Sequence, residues 1–363
     1  MSTSDRPSKE VGAVHRASHR GDDPVDLVVE GALQRLLDDG ERQDGTRLWD
    51  AVRGTSRGGK RLRPRILLDA YDALAGVAPP EPRDVALRVA AALELLHHAF
   101  LAHDDVIDGA DTRRGRPNAA GMHAAQALES GASTRQAQGY GAAAGILAGD
   151  LALAASVRAV ALCGAAPAAT ERLLDVVDEA MHLTADGELA DVRLSLGGCA
   201  DLDETLRTAE RKTAVYSFQL PLRAAVILAG REDLDGGVQR LGRDLGLAFQ
   251  LRDDLDGVFG DPAETGKSNA SDLREGKCTP LIALAHGTAA WGELSTLLGD
   301  PDAGDAALQW ARELLEACGA RAAVETLAAN LERDAVVVGH DLGLGALAEA
   351  VAGARLPREP SAA

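Results

Sequence analysis

The chain has 363 residues, with 38 basic against 56 acidic side chains and a formal net charge of −18. At 46% hydrophobic and 26% charged it has the makeup of a folded globular protein, which excludes disorder of the whole chain. So acidic a chain is no general nucleic-acid binder. Four cysteines (Cys163, Cys199, Cys278, Cys318) without a CxxC pair exclude a zinc framework and a disulfide scaffold, so a reducing cytoplasm is the expected setting.

Residues 1–25 are polar and lack the apolar core of a signal peptide, so they read as a flexible tail, as do 356–363. Residues 26–355 read as one domain, because no linker or fixed-period repeat divides them. Apolar residues recur there at three- and four-residue spacing. The pattern predicts helices over 24–39, 60–75, 82–108, 119–131, 134–164, 167–197, 202–229, 233–257, 279–299 and 303–353. No segment alternates with the two-residue period of a strand. Residues 141–169 form the most apolar long stretch, but Asp150 and Arg158 within it predict a buried helix and no membrane span. Pro221 removes a backbone donor inside 202–229 and is expected to kink that helix. The expected fold class is all-α, a single helical bundle around a deep central cavity.

Before the second of these helices lies SRGGKRLRP. Paired glycines permit close backbone approach, and Lys60, Arg61 and Arg63 concentrate positive charge at a helix start, as a phosphate cradle requires. The loop is not a Walker A sequence. Only five of the 38 basic residues are lysines (Lys9, Lys60, Lys212, Lys267, Lys277), so composition favours arginine wherever either serves, and each retained lysine draws attention.

The segment HHAFLAHDDVIDGADTRRGRPN follows. Asp104 and Asp108 share one helical face, Asp105 lies beside them, and Gly109 marks the helix end. Carboxylates crowded at a helix C-terminus repel one another and the dipole, at roughly 4 kcal/mol for one pair about 4 Å apart in an effective dielectric near 20. A magnesium ion held by carboxylate and phosphate oxygens removes that cost. A solvated acidic helix end is the plainer reading of this segment alone. A second acidic segment, AFQLRDDLDGVFGD, places Gln250, Asp253 and Asp254 on one face near Gly257 and Gly260. Cations accompany both segments: Arg113 and Arg114 follow the first, Lys267 and Lys277 the second. A calcium sink would have no use for them.

GGKRLRP, DDVID with RRGRP, ERKT, and FQLRDDLDGVFGD with TGKSNASDLREGK together resemble the trans-isoprenyl diphosphate synthases, the polyprenyl synthetase family, over roughly residues 26–350. The resemblance implies an isoprenoid-synthase-type bundle, a homodimer and a prenyltransferase that condenses an allylic diphosphate with isopentenyl diphosphate. It implies Mg2+ held by Asp104, Asp108 and Asp253, with Asp105 and Asp254 in support. Lys60, Arg63, His97 and Arg114 match the isopentenyl diphosphate set. Arg113, Lys212, Thr213, Gln250 and Lys267 match the groups around the allylic diphosphate, and Lys277 falls in the loop that helps close that site. Aromatic residues at the positions of Ala99 and Phe100 accompany C15 products in the family. Alanine at 99 with phenylalanine at 100 therefore points to geranylgeranyl diphosphate (C20), with farnesyl or longer chains as alternatives.

One position departs from the family pattern. Gly257 stands where the second DDxxD has its last acid, and Asp256 precedes it about 100° around the helix. Two competing readings are a class I terpene cyclase, against which the intact GGKRLRP and the missing NDxxSxxxE speak, and a regulatory subunit, which would typically lose acidic motifs.

Overall fold

The computed structural model describes residues 31, 34–35, 37–38, 48–56, 61–76, 78–113, 115–196, 201–260, 271–300 and 302–353. The expected tails, and with them Lys60, Arg114 and Lys267, lie outside the described residues, as does most of the helix expected at 24–39; the residues described within it are helical. The elements in chain order are α1 (Leu48–Ser56), α2 (Leu62–Leu74), α3 (Arg83–Ile107), a hairpin of β1 (Thr112–Arg113) and β2 (Arg116–Pro117), α4 (Ala119–Glu129), α5 (Thr134–Ala161), α6 (Pro167–Ser195) and α7 (Leu202–Ala209). A π-helix (Glu210–Gln219), α8 (Leu220–Leu228), a 3-10 turn (Glu232–Leu234) and α9 (Asp235–Phe259) follow. The C-terminal part holds α10 (Ser271–Glu275), α11 (Pro280–His286), α12 (Trp291–Leu294), α13 (Asp305–Ala317), α14 (Ala320–Asp341) and α15 (Gly345–Gly353).

The all-α expectation holds, with four corrections. The hairpin is too short for any alternation to show. α1 was not expected, yet it buries Trp49 and Val52 against Leu95 and Ala99 of α3. The helix expected over 303–353 is three, because Gly319 (φ +81°) and Gly343 (φ +77°) leave the right-handed region and end each piece. Likewise 279–299 divides into α11 and α12.

Buried side chains of α2, α3, α6, the π-helix, α8 and α9 form the largest core, around Leu67, Leu93, Phe218 and Leu222. A second cluster joins the C-terminal half of α9 to α11, α13 and α14. Among the described residues two helices, Arg83–Ile107 and Thr134–Ala161, are by length and composition long and apolar enough to cross a membrane; in the most apolar window of the first, 72% is buried inside the fold. The second, α5, corrects the expectation of a buried helix: one face is covered, while Tyr140, Ile146 and Leu147 are exposed. Its covered face is a glycine stripe, and a Cβ at Gly145 would lie 2.5 Å from Val106 while one at Gly149 would lie 2.3 Å from His103. Only hydrogen there lets α5 seat against the end of α3 that carries the aspartates.

Pro221 does not kink a regular helix. Residues 210–219 are wound as a π-helix whose last bond runs from the Leu220 N–H to the Val215 carbonyl, and Pro221, lacking an N–H, follows directly. The wide winding needs room on both sides. Glycines supply it: a Cβ at Gly187 of α6 would meet the Lys212 nitrogen at 2.4 Å, and one at Gly246 of α9 would meet Ala214 Cβ at 2.3 Å.

Candidate active site

The end of α3 is built by a Schellman motif: the Ala110 N–H donates to Asp105 O and the Gly109 N–H to Val106 O, with Gly109 at φ +64°. This leaves Asp104 half-buried, Asp105 buried and Asp108 at the C-cap with most of its side chain covered, 38% of it exposed. The hairpin then folds Arg113 back, so that its Nη2 donates to Asp104 at 2.7 Å and its Nε to Asp105 at 2.8 Å. Asn118 fastens the return, donating to Ala110 O and accepting from the Gly121 N–H.

Lys212, in the first turn of the π-helix, reaches Asp191 at 2.6 Å, Glu188 at 3.1 Å and Asp104 at 3.6 Å. Beside it, the Thr213 hydroxyl donates to Gln250 at 2.8 Å, and the Gln250 amide donates to Asp254 at 2.8 Å. A short relay thus runs from the first aspartate motif to the second through adjacent π-helix residues. Lys277 joins the first segment to a neighbouring helical turn: its ammonium lies 3.9 Å from Asp108 and its backbone N–H donates to Asp272 O. The two acidic segments therefore border one cleft, with Asp253 half-buried on the α9 side and Asp256 turned outward. Gly257 is not a helix end: α9 continues to Phe259, and Gly260 caps it. A Cβ at Gly257 would lie 2.2 Å from the Asp272 Oδ2, so a carboxylate of α10 occupies the volume next to the position where the motif lacks its own.

The third group is basic and aromatic. Arg63 Nη2 donates to the Tyr216 hydroxyl at 2.9 Å and to Ser217 at 2.7 Å, its guanidinium stacking 4.6 Å from the tyrosine ring centre. His97 Nδ1 is 3.5 Å from the same hydroxyl, and Phe100 meets the ring edge-on at 5.0 Å. Ala99 points elsewhere, fully buried in the cluster with Trp49 and Ala148. Arg61 also departs from the expected cradle, being buried against Glu94. Cavities of about 270 Å³ beside Leu206 and Leu327 and about 210 Å³ beside Leu344 and Leu347 lie outside the cleft and include none of these residues.

Charge in the cleft is strained toward cations. Burial pushes the Asp105 and Asp108 carboxyls above their ordinary range, more than Arg113 and Lys277 pull them back. Burial does the same to Glu188 despite Lys212. Burial opposes the charge on Lys212 and Lys277, but carboxylate neighbours, led by Asp191 for one and Glu275 for the other, outweigh it and raise both above the usual lysine range. The buried Asp105 Oδ2 has no hydrogen-bond partner. An all-carboxylate donor set with such an orphan oxygen fits a hard divalent cation. Among the described residues no three His, Cys, Asp or Glu side chains stand close enough to hold a metal by themselves. The first segment offers carboxylate oxygens only, so a cation held there would need further ligands from water or phosphate.

Sequence reasoning missed Glu188, Asp191, Tyr216 and Asp272. The first two have i, i+3 spacing on α6, which resembles an ordinary solvated face, and only the close approach at Gly187 turns them to Lys212.

The fold and site define an all-α protein in which π-helix residues link two acidic segments and, through Tyr216, contact a separate basic group. Residues 48–315 match the family model described as Polyprenyl synthetase. The octaprenyl diphosphate synthase of Escherichia coli is 34% identical over 271 residues, 73% of this chain and 74% of that protein. The (2E,6E)-farnesyl diphosphate synthase of Mycobacterium tuberculosis is 31% identical, covering 75% and 72%. The geranylgeranyl pyrophosphate synthase of Corynebacterium glutamicum, solved with isoprenyl diphosphate and magnesium, superposes with a TM-score of 0.83 at 30% identity over 91% of this chain and 98% of that one. The chain belongs to the polyprenyl synthetase family, with its all-α isoprenoid synthase fold, and is a prenyltransferase.

Proposed function

We propose that the chain is a Mg2+-dependent trans-isoprenyl diphosphate synthase that condenses an allylic diphosphate with isopentenyl diphosphate, with geranylgeranyl diphosphate as its main product. The observation that carries this reading is the relay Asp104–Lys212, Thr213–Gln250–Asp254, which ties the two acidic segments to one cleft. Asp104, Asp108 and Asp253 are the residues assigned to hold magnesium, with Asp105 and Asp254 behind them. The metal, when bound, neutralises charge on the departing diphosphate.

Arg113, Lys212 and Lys277 add fixed positive charge to the same leaving group, so that breaking the allylic carbon–oxygen bond is favoured by groups already in place. Thr213 and Gln250 orient that diphosphate, and Lys267 joins them by its place in the motif. Arg63 and His97, with Lys60 and Arg114, hold the isopentenyl diphosphate. Its double bond attacks the allylic cation, and the departing diphosphate accepts the proton that is then lost. Leu and Ala side chains around Phe100 exclude water, which would quench the cation. We further propose a cytoplasmic homodimer.

The test is incubation of the purified chain with labelled isopentenyl diphosphate and dimethylallyl, geranyl or farnesyl starters. Magnesium-dependent C20 product supports the reading. Hydrocarbon formed without isopentenyl diphosphate would instead identify a cyclase, and no turnover by the chain alone would favour a regulatory subunit. Phe100, one turn before Asp104, is assigned as the chain-length limit; Phe100→Ala is expected to add at least one isoprene unit, and unchanged products would remove it from that role.

A further inference from the structure

Arg61 is the described non-glycine residue with positive φ, at φ 49° and ψ 39°. It is also 5% exposed. Its Nη1 donates to Glu94 Oε1 at 2.9 Å, and Glu94, 3% exposed on α3, has His98 Nε2 at 3.8 Å. Burial opposes the charge on Glu94, yet His98, Arg63 and Arg61 together hold its carboxyl below the usual range. The Arg61 carbonyl accepts the first helical bond of α2, from the Arg65 N–H. Two residues on, Arg63 runs the other way, to Tyr216 and Ser217.

An arginine in the left-handed region, tied to a buried carboxylate, needs surroundings that over-determine it. A buried ion pair is poor evidence of stabilisation, since an apolar pair of similar volume commonly serves as well or better. Placement is the property such a pair supplies. Here one partner starts the helix that carries Arg63, and the other lies three residues before His97 on α3, so the pair joins the two backbones that present these cations.

We infer that the Arg61–Glu94 pair positions Arg63 and His97 as an isopentenyl diphosphate cradle, making Glu94 a positioning residue for that substrate alone. The inference rests on the proposed function for the identity of the ligand. Arg61→Met with Glu94→Leu removes both charges and leaves no buried ion to disrupt folding; Glu94→Gln removes one. In the double variant, folded by circular dichroism, KM for isopentenyl diphosphate is expected to rise at least tenfold. KM for the allylic starter should stay within twofold and kcat should be largely kept. Glu94→Gln should move the same way, and if it fails to fold the double variant decides. Unchanged KM for isopentenyl diphosphate, or an equal rise for both substrates, would overturn the inference. Calorimetric titration with isopentenyl diphosphate gives the same comparison without turnover. A wild-type chain that binds it but does not condense it would sink the functional reading, whereas equal Kd in wild type and double variant would sink this one.

Discussion

The two acidic segments are built to different standards. The first, at the end of α3, is closed by a Schellman turn, clasped by Arg113 and approached by Lys212 and Lys277, so every carboxylate in it has a cation within 4 Å. The second, on α9, has Asp253 and the buried Asp254, a glycine where a third acid would stand, and Asp272 leaning in from another helix. A fixed cluster of charges requires counter-charge before any metal arrives. A segment with fewer carboxylates of its own can leave more of its coordination to the substrate. The first segment should therefore be the less replaceable of the two.

The largest test of that asymmetry is a matched pair of substitutions. Asp104→Asn removes the carboxylate proposed to bind magnesium, which also contacts Arg113 and Lys212, and is expected to lower kcat by about 10³-fold. Asp253→Asn should cost about tenfold less. Equal losses in single-turnover assays would show that the difference in construction has no kinetic meaning. Next in size is Lys212→Ala, which leaves Glu188, Asp191 and Asp104 facing each other without their shared ammonium. A loss of about 10²-fold in kcat/KM for the allylic diphosphate is expected, with KM for isopentenyl diphosphate within twofold.

How much of this was legible beforehand depended on whether the signal was local. Helix periods, the DDxxD spacing and Gly109 as a helix end are properties of consecutive residues, and α3 and α9 follow them. The ends at Gly319 and Gly343 were equally local, and a reading that weighted glycine more heavily would have divided 303–353. Arg61 shows the limit. Side by side with Lys60 and Arg63 it reads as part of one cationic loop, and only the left-handed backbone turns it away toward Glu94, 33 positions on. The π-helix escapes for a related reason: the glycines that make room for it, Gly187 and Gly246, lie on other helices. Nothing in ERKTAVYSFQ itself shows the wide winding.

The second segment can be probed at its departure from the family pattern. Gly257→Ala would place a methyl carbon 2.2 Å from Asp272 Oδ2. A loss of about 1 kcal/mol in unfolding free energy is expected, because the half-buried Asp272 carboxylate must rotate aside to admit the methyl group. Adding Asp272→Gly should return most of it. If the single variant unfolds at the wild-type midpoint, or the second substitution restores nothing, Asp272 does not occupy that space.

The smallest effect concerns the first segment in metal-free protein. Asp105, Asp108 and Glu188 have folded-state pKa values raised mainly by burial, so between the ordinary carboxylate range and those raised values the folded chain binds more protons than the unfolded one. Stability from these groups is present below that range and is lost as pH rises through their folded pKa values. Lys212 and Lys277, also raised, act on the alkaline side: their contribution is complete below the ordinary lysine pKa and declines only as pH climbs beyond it. As pH is raised from about 4 toward neutrality, the Tm of metal-free wild type relative to Asp108→Asn should therefore slope downward. Millimolar magnesium with pyrophosphate should remove the slope altogether, because the metal binds the deprotonated carboxylates and offsets their mutual repulsion. A relative Tm that rises over the same interval without metal would mean that Arg113, Lys212 and Lys277 already neutralise the first segment in full, and the contrast between the two segments would lose its electrostatic basis.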